Sequence, residues 1–258
     1  SIVAILKRLK VGDSAVLHSE NRPTTVKTRV ISNGQQLVRV DEEVTSDIPL
    51  DMEDDLIQRC VALLDEVRPD VIIFEDYDKG VLTDRVIKNL IAAANDRAIK
   101  TTVDPKFAHF GSYHGVTLFK PNLKELGEGM AMAIDKSSDG SIERGVIRMH
   151  ESLKPTISMV TLSERGVCLF APEADLHFCR IAAFQREIMD VSGAGDAVIA
   201  VASFLLALDV PVMEIAALSN LAGGLVCEKV GVVPVDLENL KAEWNQHRKS
   251  IEPATLSQ

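Results

Sequence analysis

The residue types best suited to chemistry lie in the segment Asp190-Val-Ser-Gly-Ala-Gly-Asp196, which leads into a predicted helix over 194–208. Two glycines let the backbone approach an oxyanion, and the N-terminus of a helix presents N–H groups and a positive dipole end to it. Gly193, Ala194 and Gly195 are therefore expected to bind a phosphate group. Asp196, in the first helical turn, is expected to accept a proton from a hydroxyl that attacks a phosphoryl group.

The same glycine turn has other interpretations. A Gly-Ala-Gly run before a helix also occurs as tight packing without a ligand. A dinucleotide-binding fingerprint needs a third small residue where Val198 stands, and it opens an early strand-turn-helix unit. The Gly-Lys-Ser/Thr of a Walker loop is absent from the sequence. The segment thus predicts a phosphate loop of another lineage, with tight packing as the alternative.

A second candidate is the run Asn122-Leu123-Lys124-Glu125, in which the asparagine and the glutamate are one helical turn apart and share a face. A carboxylate at this point can hold a hydrated Mg2+ ion beside the phosphates of a nucleotide. The alternative is a helix N-cap at Asn122, with Glu125 completing a capping box. The two roles do not exclude each other.

Composition restricts the class of protein. The chain has 258 residues, of which 46% are hydrophobic and 26% charged, as in an ordinary globular protein. A formal net charge of -10 argues against nucleic acid or an anionic membrane as a partner. The four cysteines are scattered, so neither a zinc site nor a disulfide framework is indicated. These features, and the lack of a membrane-length apolar run, predict a cytoplasmic protein.

The residues 24–41 predict a β-hairpin lid, because two alternating runs flank Asn33-Gly34, the strongest short signal for a tight turn. An isolated hairpin is marginally stable, so it should lean on another sheet or on a second copy in a dimer. Alternation places Lys27 and Arg29 on one face, within reach of Arg39 on the partner strand. This face could bind a substrate phosphate; the alternative is a solvated surface.

Downstream of the hairpin, helical patterns, one of them over 122–134, alternate with strand patterns near 71–74, 100–103, 116–119 and 156–161. This alternation predicts a mostly parallel sheet. Ligands of such sheets bind at the carboxyl ends of the strands. Polar clusters stand at four predicted ends, although any one of them alone is more often a cap or turn. The members are Asp76 and Lys79; Asp104 and Lys106; Asn122 and Glu125; and Thr161, Ser163 and Gly166.

The Asp190–Asp196 segment resembles the second signature of the ribokinase-type (PfkB) carbohydrate kinases, and Asn122–Glu125 resembles their NxxE element. Within the family, four segments resemble the branch that phosphorylates D-glycero-β-D-manno-heptose 7-phosphate. They are Arg22–Arg29, Gln35–Asp41, Asp76–Gly80 and Asp104–Lys106. The resemblance implies an α/β fold, namely a ribokinase-like three-layer sandwich with a mostly parallel sheet and a small β-hairpin lid.

The resemblance also implies roles for individual residues. Asp196 would be the catalytic base, and the amides of Gly193, Ala194 and Gly195 would stabilise the transferred phosphoryl group. ATP and Mg2+ would be the cofactors, and K+ is often used near the glycine turn. Independently of the resemblance, the hairpin lid favours a homodimer that forms through it. Residues implied in nucleotide binding are Asn122, Leu123, Lys124, Glu125 (also the metal residue), Thr161, Ser163, Gly166 and Asn220. Residues expected to bind a phosphorylated sugar, from their positions on the hairpin face or at strand ends, are Lys27, Arg29, Arg39, Asp76, Lys79, Asp104 and Lys106.

The sequence departs from the family pattern at its start, where members usually have a strand with a sugar-binding Asp and a Gly-rich segment. The chain is therefore expected to form one kinase domain over residues 1–258 that lacks the usual N-terminal strands and carries no nucleotidyltransferase domain. Two alternatives stay open. One is a kinase for another sugar, such as ribose or fructose, and the other is a non-catalytic fragment that binds a nucleotide or a sugar phosphate.

Overall fold

The structure, a computed structural model, describes residues 2–32 and 35–247. The chain forms two compact units, Ser1–Arg68 with Asp78–Leu90 as the first and Pro69–Tyr77 with Ile91–Gln258 as the second. Every chemically interesting cluster described below lies within one unit or the other. The boundary falls inside the Asp76–Gly80 motif and inside one helix.

The first unit contains a hairpin and helices. Its elements are α1 (Ile2–Arg8), β1 (Val26–Ser32), β2 (Gln35–Glu42), α2 (Leu50–Val67) and the first part of α3 (Asp84–Asn95). The antiparallel β1–β2 pair places Arg29 opposite Arg39 and Val30 opposite Val38. Helix α2 begins after Pro49 with two acidic residues in its first turn, where the helix dipole favours negative charge.

The second unit is built on a six-stranded sheet in the order β3-β4-β5-β6-β7-β8. The first three pairings are parallel and the last two antiparallel. The strands are β3 (Val71–Glu75), β4 (Lys100–Asp104), β5 (Leu118–Phe119), β6 (Ile157–Thr161), β7 (Val167–Ala171) and β8 (Leu176–Ile181). The helices are α4 (Leu123–Gly129), α5 (Asp139–Leu153), α6 (Ala194–Ala207), α7 (Val212–Cys227) and α8 (Leu237–His247).

Helices cover both faces of this sheet. Met159 of β6 lies in an apolar cluster with Ile199 of α6 and Ile215 of α7. The preceding residue, Ser158, hydrogen-bonds through its hydroxyl to His150 of α5. Because consecutive strand residues point to opposite faces, α6 and α7 lie on one side of the sheet and α5 on the other. Three layers result, and the carboxyl ends of the parallel strands remain available at one edge.

The predicted fold class is confirmed, including the mostly parallel sheet and the separate antiparallel hairpin. Within the predicted lid, Asn33 and Gly34 lie outside the described residues. The helix expected over 122–134 is shorter, because it ends at Gly129 and Ala131 adopts a left-handed backbone conformation with φ 48°. Among the described residues, no helix is both long and apolar enough to cross a bilayer. The single domain over 1–258 stays a prediction.

Candidate active site

Three carboxylates converge at the edge of the sheet. Glu75 ends β3 and Asp104 ends β4, and the parallel register pairs these two residues directly. Asp196 comes from the first turn of α6, which packs on β3 and β4. One carboxylate oxygen of each residue lies within 4.8 Å of the other two. The sheet therefore brings the predicted base into an acidic cluster that we call the carboxylate cluster, comprising Glu75, Asp104 and Asp196.

Two lysines balance part of this negative charge. The Nζ atom of Lys120 lies 3.2 Å from Oδ2 of Asp104, and that of Lys106 lies 3.6 Å from Oδ1. Lys120 is only 2% exposed, so its ammonium group is desolvated and depends on Asp104. Lys106 also reaches Oε1 of Glu125 at 2.6 Å. The ion pairs thus connect the carboxylate cluster to the predicted nucleotide segment.

The cluster changes the protonation of Glu75 and Lys106. Burial, together with the negative charges of Asp104 and Asp196, raises the pKa of Glu75 from its ordinary 4.5 to about 7. Lys120 and Lys106 oppose that rise. Burial lowers the pKa of Lys106, but the attraction of Asp104 and Glu125 outweighs it, so the net shift is upward. The lysine is held as a cation, whereas Glu75 can exchange a proton near neutral pH.

The glycine turn is held in place by backbone hydrogen bonds to one side chain. Asp190 accepts the N–H of Ser192 at 2.9 Å through Oδ1 and the N–H of Gly231 at 2.9 Å through Oδ2. Gly193 precedes α6 with φ 82°, a conformation that favours glycine. At Gly195, an added Cβ would stand 3.4 Å from Oδ2 of Asp104. The start of α6 therefore lies directly against the carboxylate cluster.

The two residues after β3 are anchored differently. Asp76 is buried, its N–H donates to the carbonyl of Asp104 at 3.1 Å, and its Oδ2 accepts the hydroxyl of Tyr113 at 2.8 Å. Tyr77 donates its hydroxyl to Oδ1 of Asp196 at 2.9 Å. Burial and this hydrogen bond to Asp196 both raise the pKa of Tyr77, so the phenol keeps its proton.

The Asn122–Glu125 run forms the capping box that its spacing predicted. The Oδ1 atom of Asn122 accepts the N–H of Glu125 at 2.9 Å, and Oε2 of Glu125 accepts the N–H of Asn122 at 2.8 Å. With Oε1 paired to Lys106, both carboxylate oxygens of Glu125 have partners. Leu123 and Lys124 follow as the first residues of α4.

The residues predicted to form a nucleotide shelf lie along two neighbouring segments. Thr161 ends β6 beside Asn122, with which it forms a bridge. Ser163 has φ 54°, a left-handed conformation that glycine adopts more easily. Gly166, at φ 92°, lies against the carbonyl of Ile181, and Asn220 donates its side-chain amide to the carbonyl of Ala182 at 3.0 Å. Gly166 and Asn220 therefore both lie against the C-terminal end of β8.

The predicted sugar-phosphate cations lie in the first unit. Lys27, Arg29 and Arg39 alternate on one face of the hairpin, where Arg39 pairs with Asp41 at 2.9 Å. Lys79 pairs with Glu43. Each of these cations is at least partly exposed. The binding roles assigned to them, and to the residues of the second unit, stay predictions.

Comparison with known proteins identifies the family. The model described as pfkB family carbohydrate kinase matches residues 1–239. The chain belongs to this family. Among curated relatives, the Bifunctional protein HldE of Campylobacter jejuni subsp. doylei is 37% identical over 228 residues, 88% of this chain and 47% of that protein. The protein of the same name from Nitratiruptor sp. is 36% identical over 241 residues, 93% and 49% of the two chains. The chain spans about half the length of the curated relatives it matches.

Solved structures support the fold of a pfkB family member. Phosphofructokinase-2 from Escherichia coli, in complex with potassium, aligns with a TM-score of 0.78 and 17% identity, covering 95% of this chain and 77% of that one. Ribokinase from Giardia lamblia aligns with a TM-score of 0.71 and 16% identity, covering 95% and 78%. The predicted ribokinase-like fold is thereby confirmed, and the predicted membership of the pfkB carbohydrate kinase family is confirmed by the family model.

Three members of this candidate site were absent from the sequence prediction: Glu75, Tyr77 and Lys120. Glu75 had a usable signal, since it directly follows the strand predicted over 71–74, and the nearby residues Asp76 and Lys79 were chosen because they follow that strand. Lys120 lies two residues before Asn122 of the NxxE element, but nothing in the sequence indicates its burial. The carboxylate cluster supplies the hard oxygen ligands that Mg2+ prefers, and so fits a divalent cation.

Proposed function

We propose that this chain catalyses ATP-dependent phosphorylation of a heptose 7-phosphate at its anomeric hydroxyl, giving a heptose 1,7-bisphosphate. The observation that carries the proposal is the position of Asp196, in the first turn of α6 and beside the carboxyl ends of β3 and β4. A base and an anion-binding helix N-terminus are thereby combined in one segment.

In the proposed reaction, Asp196 accepts the proton of the anomeric hydroxyl as the sugar oxygen attacks the γ-phosphorus. The new O–P bond forms in line with the bond from phosphorus to the β,γ-bridging oxygen, which breaks to release ADP. The amides of Gly193, Ala194 and Gly195 would stabilise the charge on the transferred phosphoryl group. A bound Mg2+ would neutralise charge on the nucleotide phosphates, held by Glu125 or by the carboxylate cluster.

The nucleotide is proposed to bind along Asn122–Glu125, Thr161, Ser163, Gly166 and Asn220. Support comes from the ion pair of Lys106 with Glu125, since it connects this run with the carboxylate cluster. A K+ ion beside the glycine turn is proposed as well, because the structural relative Phosphofructokinase-2 was solved in complex with potassium.

Selectivity for a sugar that already carries a phosphate is proposed to come from the hairpin. Lys27, Arg29 and Arg39 present three cations on one face, a charge pattern with no purpose for a neutral sugar. Lys79, Asp76 and Asp104 are proposed to contact the sugar. The segments that resemble heptose 7-phosphate kinases include the hairpin strands, which favours a heptose over ribose or fructose.

The first experiment measures ADP release with Mg2+ and ATP across a panel of sugars and sugar phosphates, with the chain as it stands. Turnover confined to heptose 7-phosphate is expected. Turnover with ribose or fructose instead would replace the substrate while keeping the kinase. ATP binding without turnover on any sugar would contradict the kinase proposal and favour a binding fragment.

Two variants test the assigned roles. Asp196→Asn is expected to lower kcat by about 100-fold or more with ATP binding preserved. Arg29→Ala is expected to raise KM for the sugar phosphate by about 10-fold and to leave KM for ATP nearly unchanged. Arg59→Ala, an exposed arginine of α2, is the control for loss of one surface cation. Equal effects of Arg29→Ala on both KM values would contradict the phosphate role of the hairpin.

A further inference from the structure

We infer that Tyr77 is a positioning residue that orients the proposed base, Asp196, through the hydrogen bond between their side chains. The inference rests on the proposed kinase function, because it assigns Tyr77 a role in the same reaction. Tyr77 lies inside the Asp76–Gly80 motif, between the two residues predicted there as sugar ligands, Asp76 and Lys79. Its phenol reaches Asp196 across 119 positions of sequence, so the contact is a product of the fold.

The geometry divides the two oxygens of the carboxylate between two tasks. Tyr77 donates to Oδ1 of Asp196 at 2.9 Å, a normal distance for a hydrogen bond to a carboxylate. We assign the proton of the substrate hydroxyl to the other oxygen, Oδ2. Asp196 is exposed and has rotational freedom about two side-chain bonds, so an unrestrained carboxylate would sample several orientations. A bond to one oxygen selects the orientation in which the other can face the substrate.

Tyr77 can serve this purpose because its own backbone is fixed. The preceding residue, Asp76, donates its N–H to the carbonyl of Asp104 and accepts the hydroxyl of the fully buried Tyr113. These bonds tie the segment after β3 to β4 and to the core on the side of Tyr113. The phenol therefore projects from an anchored strand end, and not from a free loop.

The chemistry of the donor suits a site crowded with carboxylates. Glu75 and Asp104 lie within 4.8 Å of Asp196 and repel a negative charge there. A phenol supplies a neutral hydrogen-bond donor. A cationic side chain at this position would also attract the negatively charged phosphoryl group. Because its pKa is raised, Tyr77 remains protonated and keeps donating over the whole working pH range.

Steady-state kinetics on Tyr77→Phe test the inference, since this variant removes only the hydroxyl. We expect kcat to fall about 10- to 100-fold, with KM for ATP and for the sugar phosphate changed by less than about 2-fold. The control is Ser203→Ala, which removes a hydroxyl from the buried hydrogen bond between α6 and Thr102 of β4. This control is expected to lower thermal stability and to leave kcat near its original value.

The outcomes separate the two proposals. If the unaltered chain turns over and Tyr77→Phe has the same kcat, the role of Tyr77 is overturned and the kinase function stands. If the unaltered chain shows no turnover, the kinase function is overturned, and the role of Tyr77 falls with it. If Ser203→Ala loses as much kcat as Tyr77→Phe, the effect reflects stability of α6, and the positioning role is again overturned.

A spectroscopic measurement tests the hydrogen bond without activity. The sequence contains only two tyrosines, so subtracting the ultraviolet Raman spectrum of Tyr77→Phe isolates the phenol of Tyr77. We expect the signature of a strong hydrogen-bond donor, and we expect it to disappear in Asp196→Ala. The same donor signature in the absence of the Asp196 carboxylate would show that Tyr77 has another partner, and would overturn the inference.

Discussion

Among individual residues, Glu75 has a carboxyl group whose pKa is strongly raised by the fold. Its folded-state pKa is about 7, against an ordinary value of 4.5, because it is buried beside Asp104 and Asp196. Between these pH values the folded chain binds more protons than the unfolded chain at this position. The contribution of Glu75 to the free energy of unfolding is therefore fully present below about pH 4.5 and is lost as pH rises through about 7.

Glu75→Gln cannot ionise and should remove this dependence. We expect the unfolding midpoint in urea to fall less between pH 5 and pH 8 in the variant than in the unaltered chain, as measured by circular dichroism. Glu66→Gln, an exposed position of α2, serves as the control and should keep the original dependence. Parallel pH dependences for Glu75→Gln and the unaltered chain would contradict the raised pKa.

Lys120 is a second residue whose burial is expected to affect the free energy of unfolding. Its ammonium group is buried against Asp104, and removal of one partner from such a pair leaves a desolvated charge. Lys120→Met should therefore lower the free energy of unfolding by about 3 kcal/mol. Lys88→Met removes an exposed ion pair on α3 and should have little effect. Equal stability of the two variants would show that Lys120 is not held as a buried cation.

At the scale of elements, the sequence predicted those features that depend on local pattern. The hairpin followed from alternation around residues 33–34, and β3 and β6 followed from apolar runs that need cover on both faces. The capping box followed from the spacing of Asn122 and Glu125. These rules concern residues that are close together in the chain, so they can be applied to the sequence without a structure.

Features created by tertiary packing could not be predicted from the sequence in this way. The register that pairs Glu75 with Asp104 depends on two strands separated by α3, and the contact of Tyr77 with Asp196 depends on where α6 packs. Early termination of α4 was also missed, although Gly127 and Gly129 lower helix propensity there. The positions of candidate residues at strand ends were predictable, whereas their partners were not.

The turn between β6 and β7 has a glycine that the fold requires. Gly166 has φ 92°, and an added Cβ would stand 2.1 Å from the backbone carbonyl oxygen of Ile181. Relief of this clash would require the turn or β8 to move, and that movement would break the pairing of Val167 with Ile181. Gly166→Ala should therefore destabilise the chain by about 3 kcal/mol or more, as measured by urea unfolding. Gly111→Ala, where no atom lies within 4 Å of the added Cβ, should cost much less.

At the scale of the whole molecule, the hairpin of the first unit raises the question of assembly. Val26, Val30, Val38 and Val40 lie on the face opposite the cations, and each is between 45% and 59% exposed. Two strands alone are marginally stable in water, and a paired apolar face needs cover. We therefore predict that the hairpin faces of two chains associate, which is the homodimer expected from the hairpin pattern in the sequence.

Light scattering after size exclusion tests that prediction through Val30 and Val38, which are directly opposite each other in the hairpin. The unaltered chain should have twice the mass of one chain. The double variant Val30→Lys, Val38→Lys should have the mass of one chain, since four lysines would meet across the shared apolar face. Val67→Lys alters a more exposed valine at the end of α2 and should remain dimeric. A single-chain mass for the unaltered protein, or a dimer that persists in the double variant, would exclude the hairpin as the interface.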